Sequence, residues 1–296
     1  YLKADYPDAI VNDSLNIDQA HLITSININL ASFDISSFVG LESCSNIDDF
    51  RVEGSSVSDL SPLYNNTGIR SLVIHGGNFT SESINSLLTI QTSIESIEIY
   101  DNTSIIDFNI TLPELYMSDI TIVNTNIESI ELNISSIHFL TIDNNNALQI
   151  INGIGDFDVH WHLYVMNNPI LTSVSGSTLS DNYNEFSWSM DAAGFINNPM
   201  LTSCCPLGGF PNYILNGFQL SENGENCNSG AAVNAFYESN CAPGCTDPTA
   251  LNYNPNITED DGSCEYCPEI EILSSISNIS CITNDADVSI TVYPAG

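Results

Sequence analysis

One phrase returns three times in this chain. Residues 140–150 read LTIDNNNALQI, residues 163–172 read LYVMNNPILT, and residues 195–202 read FINNPMLT. Each copy is a short run of alternating apolar residues, then Asn-Asn, then a small residue or proline, then an apolar pair. Such recurrence constrains a chain more tightly than composition does. One copy is too small to bury its own apolar face, so neighbouring copies must stack on each other. The expected product is a solenoid.

The second apolar residue of each run forms a column: Val52, Ile74, Ile99, Ile122, Ile142, Val165 and Phe195, at steps of 22, 25, 23, 20, 23 and 30 residues. Its partner two residues earlier gives Phe50, Leu72, Ile97, Ile120, Leu140, Leu163 and Ala193. Alternation over a few residues predicts short strands with one buried face, and residues two apart then point inward together.

Asn124, Asn144, Asn167 and Asn197 fall two residues after the first column. A coil must turn there. Asparagine tolerates left-handed backbone, and its amide can bond the neighbouring backbone groups that a turn would otherwise strand. Stacked coils would stack these four into a ladder. The plainer reading is that asparagine simply favours loops, but the recurrence in register favours the ladder.

From about Ile26 to Cys241 this pattern resembles the leucine-rich-repeat and receptor-L-domain-like solenoids of secreted Bacteroidetes proteins. Two further stretches strengthen the resemblance. Residues 38–42 (FVGLE) followed by Ile47 look like a first coil of the receptor-L type, and residues 59–63 (DLSPL) look like a leucine-rich-repeat turn. The implied fold is mainly β: a right-handed parallel β-solenoid with a disulfide-bonded C-terminal cap. A small disulfide-stapled module and part of an immunoglobulin-like β unit would follow it. The expected division is an N-terminal cap over 1–22, the solenoid over 23–203, the Cys-rich cap over 204–243, the stapled acidic module over 244–266, and the incomplete unit over 267–296. Isoleucine outnumbers leucine in the strand columns and coil lengths vary, which predicts strand and irregular turn with little helix. Residues 231–239 are the best helix candidate.

Charge narrows the partners. The chain of 296 residues holds 37 acidic and 3 basic side chains, a formal charge of −34, and its cations are Lys3, Arg51 and Arg70. Nucleic acid and anionic membranes need a basic footprint, so both are excluded as partners. No apolar run approaches the roughly 20 residues of a membrane span, so direct membrane insertion is not expected. Scarce lysine and arginine leave few sites for trypsin-like proteases, which suits an exposed extracellular life.

Of nine cysteines, eight lie in the last third: Cys204, Cys205, Cys227, Cys241, Cys245, Cys264, Cys267 and Cys281. They lack paired zinc spacing and read as a disulfide framework made in an oxidising compartment. Their pairing stays open. Cys44 has no close partner and reads as free and buried.

The tail carries the most specific resemblance. Residues 244–266 (GCTDPTALNYNPNITEDDGSCEY) are similar to the short GCTDPxAxNYNPxAxxDDGSC module repeated in Bacteroidetes surface proteins. Within it Asp247, Asn252, Asn254, Asp260 and Asp261 supply hard oxygens suited to calcium; the alternative is that they form only Asx-turns. Residues 267–296 resemble the opening strands of the SprB-type repeat of gliding adhesins, with Ala286-Asp287 in place of the usual glycine. That resemblance implies export by type IX secretion, and a chain continuing past Gly296 is expected.

His160-Trp161-His162 would place two imidazoles on one strand face, a spacing that can bind metal, though no third ligand accompanies them. No GxSxG, HExxH or glycine-rich phosphate loop occurs. The expectation is a non-enzymatic, adhesin-like protein of the bacterial cell surface, binding a glycan or another cell-surface protein. Secretion-system components and further copies of the chain are additional candidate partners. The alternative is a structural subunit of an extracellular filament or sheath. A carbohydrate-active enzyme on a β-solenoid comes third, and a groove of paired carboxylates and aromatics would favour it.

Overall fold

A computed structural model describes residues 8, 10–11, 14–29, 37–54, 57–154, 156–176, 192–208, 217–255, 257, 260 and 262–266. The chain packs as two units, Tyr1–Asn240 and Cys241–Gly296.

The first unit opens with β1 (Ile10–Val11) and β2 (Ser14–Leu15), an antiparallel pair, and a 3-10 turn over Ile17–Leu22. The coils follow. Their strands are β3 (Ser25–Asn29), β4 (Asp49–Glu53), β5 (Ser71–His75), β6 (Ser96–Tyr100), β7 (Asp107–Val123), β8 (Ser129–Asp143), β9 (Ile150–Asn152), β10 (Asp158–Met166), β11 (Ser173–Ser175), β12 (Ala192–Ile196) and β13 (Gln219–Ser221). They form one 11-stranded sheet, ordered β3-β4-β5-β6-β7-β8-β10-β12-β13 along its main path, every pair parallel. This is a mainly β, parallel β-solenoid.

The register stacks the apolar columns. Val52, Ile74, Ile99, Ile122, Ile142, Val165 and Phe195 are successive partners, as are Phe50, Leu72, Ile97, Ile120, Leu140, Leu163 and Ala193. All are buried and belong to one continuous core. A parallel sheet needs a layer against it, and here each coil's own return path supplies that layer.

The return path changes along the solenoid. In the early coils it is a 3-10 turn, Leu41–Ser43 and then Ser61–Leu63. Next comes a helix, α1 (Ser81–Thr89), capped by the Thr80 side chain and burying Ile84, Leu87 and Leu88 at helical spacing. From β7 to β11 it is strand. The first part of β7 pairs with the first part of β8, which pairs with β9 and then β11. This second ladder buries Phe108, Ile130, Ile151 and Val174. Helix stays scarce among the described residues, as expected, and its presence on the back of this one coil is due to the Thr80 cap and the apolar stripe.

The corner after each strand divides its work between two residues. The first takes left-handed backbone: Gly54, Gly76, Asp101, Asn124, Asn144, Asn167, Asn197 and Glu222, with φ between 53° and 72°. The second, where it is asparagine, is buried: Asn102, Asn145, Asn168, Asn198 and Asn223. Each buried amide donates across the core to a backbone carbonyl, Asn145 to Ile122 (3.0 Å), Asn168 to Ile142 (3.2 Å) and Asn198 to Val165 (2.9 Å). Its oxygen accepts the backbone N–H of the preceding coil's member: Asn145 to Asn168 (3.0 Å), Asn168 to Asn198 (3.1 Å), Asn198 to Asn223 (3.2 Å). Among the described residues no buried side-chain nitrogen or oxygen is left without a partner.

The coil pattern runs beyond residue 203, since β13 and Asn223 continue the ladder. The cap packs Leu207, Cys227 and Val233 of α2 (Gly230–Asn240) into the same core. Cys204 is bonded to Cys227, and Cys205 and Cys241 are disulfide-bonded as well. Cys44 is free and buried, and burial raises its thiol above the ordinary value.

The second unit is held by Cys245–Cys264 and by backbone bonds from Leu251 to Glu265 (2.7 Å) and from Asn254 to Cys245 (3.1 Å). Cys267, Cys281 and the immunoglobulin-like reading of 267–296 lie outside the described residues.

Candidate functional site

Strand alternation that buries the columns turns the intervening side chains outward on a flat, parallel face. Neighbours across it are Arg51, Val73, Glu98, Thr121, Thr141, Tyr164 and Gly194, in that order. The early coils spend their charges on each other. Arg51 pairs with Glu53 (2.6 Å), Arg70 with Asp48, and His75 with Asp101 (2.6 Å). Both described arginines are thus already matched, and the Arg70 guanidinium holds the Asp48 carboxyl below its usual range.

Aromatic rings gather farther along the face. Phe139 and His162 are register partners with centroids 5.2 Å apart, and His162 lies 5.8 Å from Tyr164. A β-bulge between Val159 and His162 sets two residues, His160 and Trp161, against the single His138. Trp161 consequently packs its ring 5.3 Å from both His138 and Phe139 while staying 45% exposed. Tyr164 leans over β12, where Gly194 leaves room; a Cβ there would come within 2.8 Å of its ring.

Carboxylates flank the rings. Asp119 is the register partner of both Ser96 and Phe139, and it accepts a bond from Thr121 (2.7 Å). Burial, helped by Glu98, raises its carboxyl above the ordinary value. Tyr100 donates to Glu98 (3.0 Å), and burial followed by that carboxylate pushes its phenol up to about 12. The face therefore offers rings for stacking beside neutral and anionic acceptors.

The histidine pair divides at the bulge. His160 contacts His138 (5.6 Å), whereas His162 contacts Phe139 and Tyr164. Burial first, and His160 second, hold His138 below the usual imidazole value. No three His, Cys, Asp or Glu side chains converge into a metal-binding group among the described residues.

Asn124, Asn144, Asn167 and Asn197 line the exposed side of the corner. Asn144 donates to Asn124 (3.3 Å), Asn197 to Asn167 (2.8 Å), Asn167 to Asp143 (2.7 Å), and Asn124 to Asp101. The backbone carbonyls inside the core are served by the next residue along, a position that the sequence reading did not single out. Its signal was present as the second Asn of each pair.

The proposed calcium ligands are engaged locally. Asp247 accepts from the Thr249 N–H and hydroxyl (both 2.8 Å) and from Tyr266 (2.8 Å), bonds that hold its carboxyl below the ordinary range. Asn252 bridges Ser263 and Glu265, and Asp260 accepts from Gly262 (2.8 Å) and Thr246 (3.0 Å). Asn254 contributes a backbone turn, and Asp261 lies outside the described residues. Asp247 and Asp260 thereby form the Asx-turn bonds of the alternative reading, to the N–H groups of Thr249 and Gly262.

No protein-family model matches the chain, and no curated protein matches its sequence. Among solved structures it is similar to an internalin from Listeria monocytogenes, at 15% identity and a TM-score of 0.33, over 75% of this chain and 88% of that one. Likeness so distant bears on neither ligand nor partner. No helix of the described residues is long and apolar enough to cross a membrane.

Proposed function

We propose that this chain is the non-enzymatic binding part of an adhesin-like protein of the bacterial cell surface, of the type IX-exported Bacteroidetes kind that its tail modules resemble. The observation that carries the reading is the ring cluster of Phe139, Trp161, His162 and Tyr164, held half-exposed on a rigid sheet. Tyrosine and tryptophan provide large contact areas at low entropic cost, and a preformed face has little ordering left to do on binding. The disulfides suit an oxidising exterior, and the charge of −34 suits a soluble, self-repelling molecule.

The test is binding of the fluorescently labelled chain to bacterial and host cell surfaces and to their isolated glycans and proteins. Saturable binding with no chemical change in the bound molecule is expected. Turnover of any bound polysaccharide refutes the non-enzymatic part of the reading, and failure to bind any surface refutes the binding part.

A further inference from the structure

The strand spacing sets the scale of the aromatic face. Adjacent strands lie about 4.8 Å apart, and the register sets Phe139 beside His162 in one row and Thr141 beside Tyr164 two residues farther along the strands. Trp161 covers the flank of Phe139, and His162 bridges the rings of Phe139 and Tyr164. The rings thus form one contiguous cluster over β8 and β10. Between and beside them stand hydroxyls and carboxyls: Thr121, Thr141, Asp119 and Glu98.

Resting on the binding reading above, we propose that this face is a site for an uncharged polysaccharide laid across β6, β7, β8 and β10. The C–H faces of its sugars would stack on Phe139, Trp161 and Tyr164, and its hydroxyls would bond Asp119 and Thr141.

Three observations select that ligand. An acidic glycan meets a chain of −34 with both described arginines already paired. Asp119 is half-buried and already accepts a hydroxyl bond from Thr121, the kind of donor that a sugar presents. Neutral hydroxyls are the complement of such a group. Finally, the Tyr164 ring lies over Gly194, where a Cβ would come within 2.8 Å of it, so the glycine is what lets the ring lie in this position beside His162.

Affinity electrophoresis and calorimetry of the full chain provide the test, with soluble β-glucan, xylan and mannan as neutral probes, alginate and polygalacturonate as acidic ones, and lysozyme as a basic protein. Variants are W161A, W161F, Y164A and G194A, each checked for an unchanged unfolding midpoint. Expected is salt-insensitive binding of at least one neutral glycan, weakened about tenfold or more in W161A and Y164A and retained in W161F. G194A should weaken it too, by displacing Tyr164 without removing a contacting group. Trp161 tolerates replacement because it is half-exposed, so W161A keeps the test decisive even if Y164A misfolds. Neutral-glycan binding that persists undiminished in W161A overturns the site and leaves the binding module standing. Binding of only the acidic probes, or only of the basic protein with strong salt dependence, overturns the ligand class alone. A chain that binds none of these probes and no cell surface overturns this inference and the function it rests on.

Discussion

Replacing Asn168 by alanine separates the two asparagines of a corner. Its side chain is fully buried. The amide donates to the Ile142 carbonyl (3.2 Å) and to Asn198 (3.2 Å), while the oxygen accepts the Asn145 N–H (3.0 Å). Alanine leaves the Ile142 carbonyl and the Asn145 N–H without these partners where water cannot replace them. At about 1–3 kcal/mol for each buried group, the loss is about 2–6 kcal/mol. N168D should do no better, because its second oxygen would face a carbonyl. Asn167, next door, is exposed with φ of 54°. N167A forfeits solvent-side bonds and meets a left-handed penalty of about 1–2 kcal/mol, which N167G avoids. Urea unfolding followed by far-UV circular dichroism reads the difference, and hydrogen exchange at the Asn145 amide locates it. A glycine that rescues position 167 but not position 168 is the expected signature. If N168A shifts the midpoint no more than N167A does, the buried ladder is not what holds the corners, and the reasoning fails.

Other perturbations test other parts. A Cβ on Gly153, at φ of 91°, would sit 1.9 Å from the Leu132 carbonyl oxygen; G153A should cost about 3 kcal/mol or more, read as a fall in thermal midpoint. Asp119 has a raised folded-state pKa, so its charged form opposes folding. D119N should therefore stabilise at neutral pH, with the gain fading as pH falls through that raised value toward the unfolded one near 3.9; an equal gain at pH 3 would contradict this. Removing Cys204–Cys227, which closes a separation of 23 residues, should cost about 3 kcal/mol. In hydrogen exchange the loss should appear first at β12 and β13 and leave β5 and β6 protected, because each coil touches only its neighbours.

The strand columns were legible because alternation with period two survives any change in coil length. Phe50 and Val52 announce an inward face without help from their neighbours in space. Less of the return path was read, although its signals were present. Residues 129–134 (SIELNI) alternate as cleanly as any strand of the main ladder, and α1 has its Thr80 cap and its Ile84, Leu87, Leu88 stripe. The recurring phrase marks one strand per coil, and the return path does not share it. Two adjacent asparagines look alike in sequence, and only the change of backbone handedness between them decides that Asn167 faces water while Asn168 enters the core. In the second unit, Asp247 and Asp260 could equally serve a cation or a turn in sequence, and their bonds to the Thr249 and Gly262 N–H groups supply the turn.

The aromatic face was the least legible part, for a reason built into the repeat. Ile137 and Val159 are partners 22 residues apart, but Phe139 and His162 are partners 23 apart, so this coil carries one residue too many between them. Left in phase with the strand, that residue would have sent Leu163 and Val165 outward and the polar residues into the core. The bulge at His160 and Trp161 absorbs it instead, and both leucine and valine remain fully buried. A side chain at a bulge is freed from the alternation that governs the rest of the strand. Trp161 owes its exposure to that freedom. Deleting His160 should thus cost less stability than deleting any residue of 163–166, because it removes only the surplus. It should also draw Trp161 back into the alternation, and a fluorescence spectrum of the indole at 161 that is unchanged by the deletion would show that the bulge does not set its exposure.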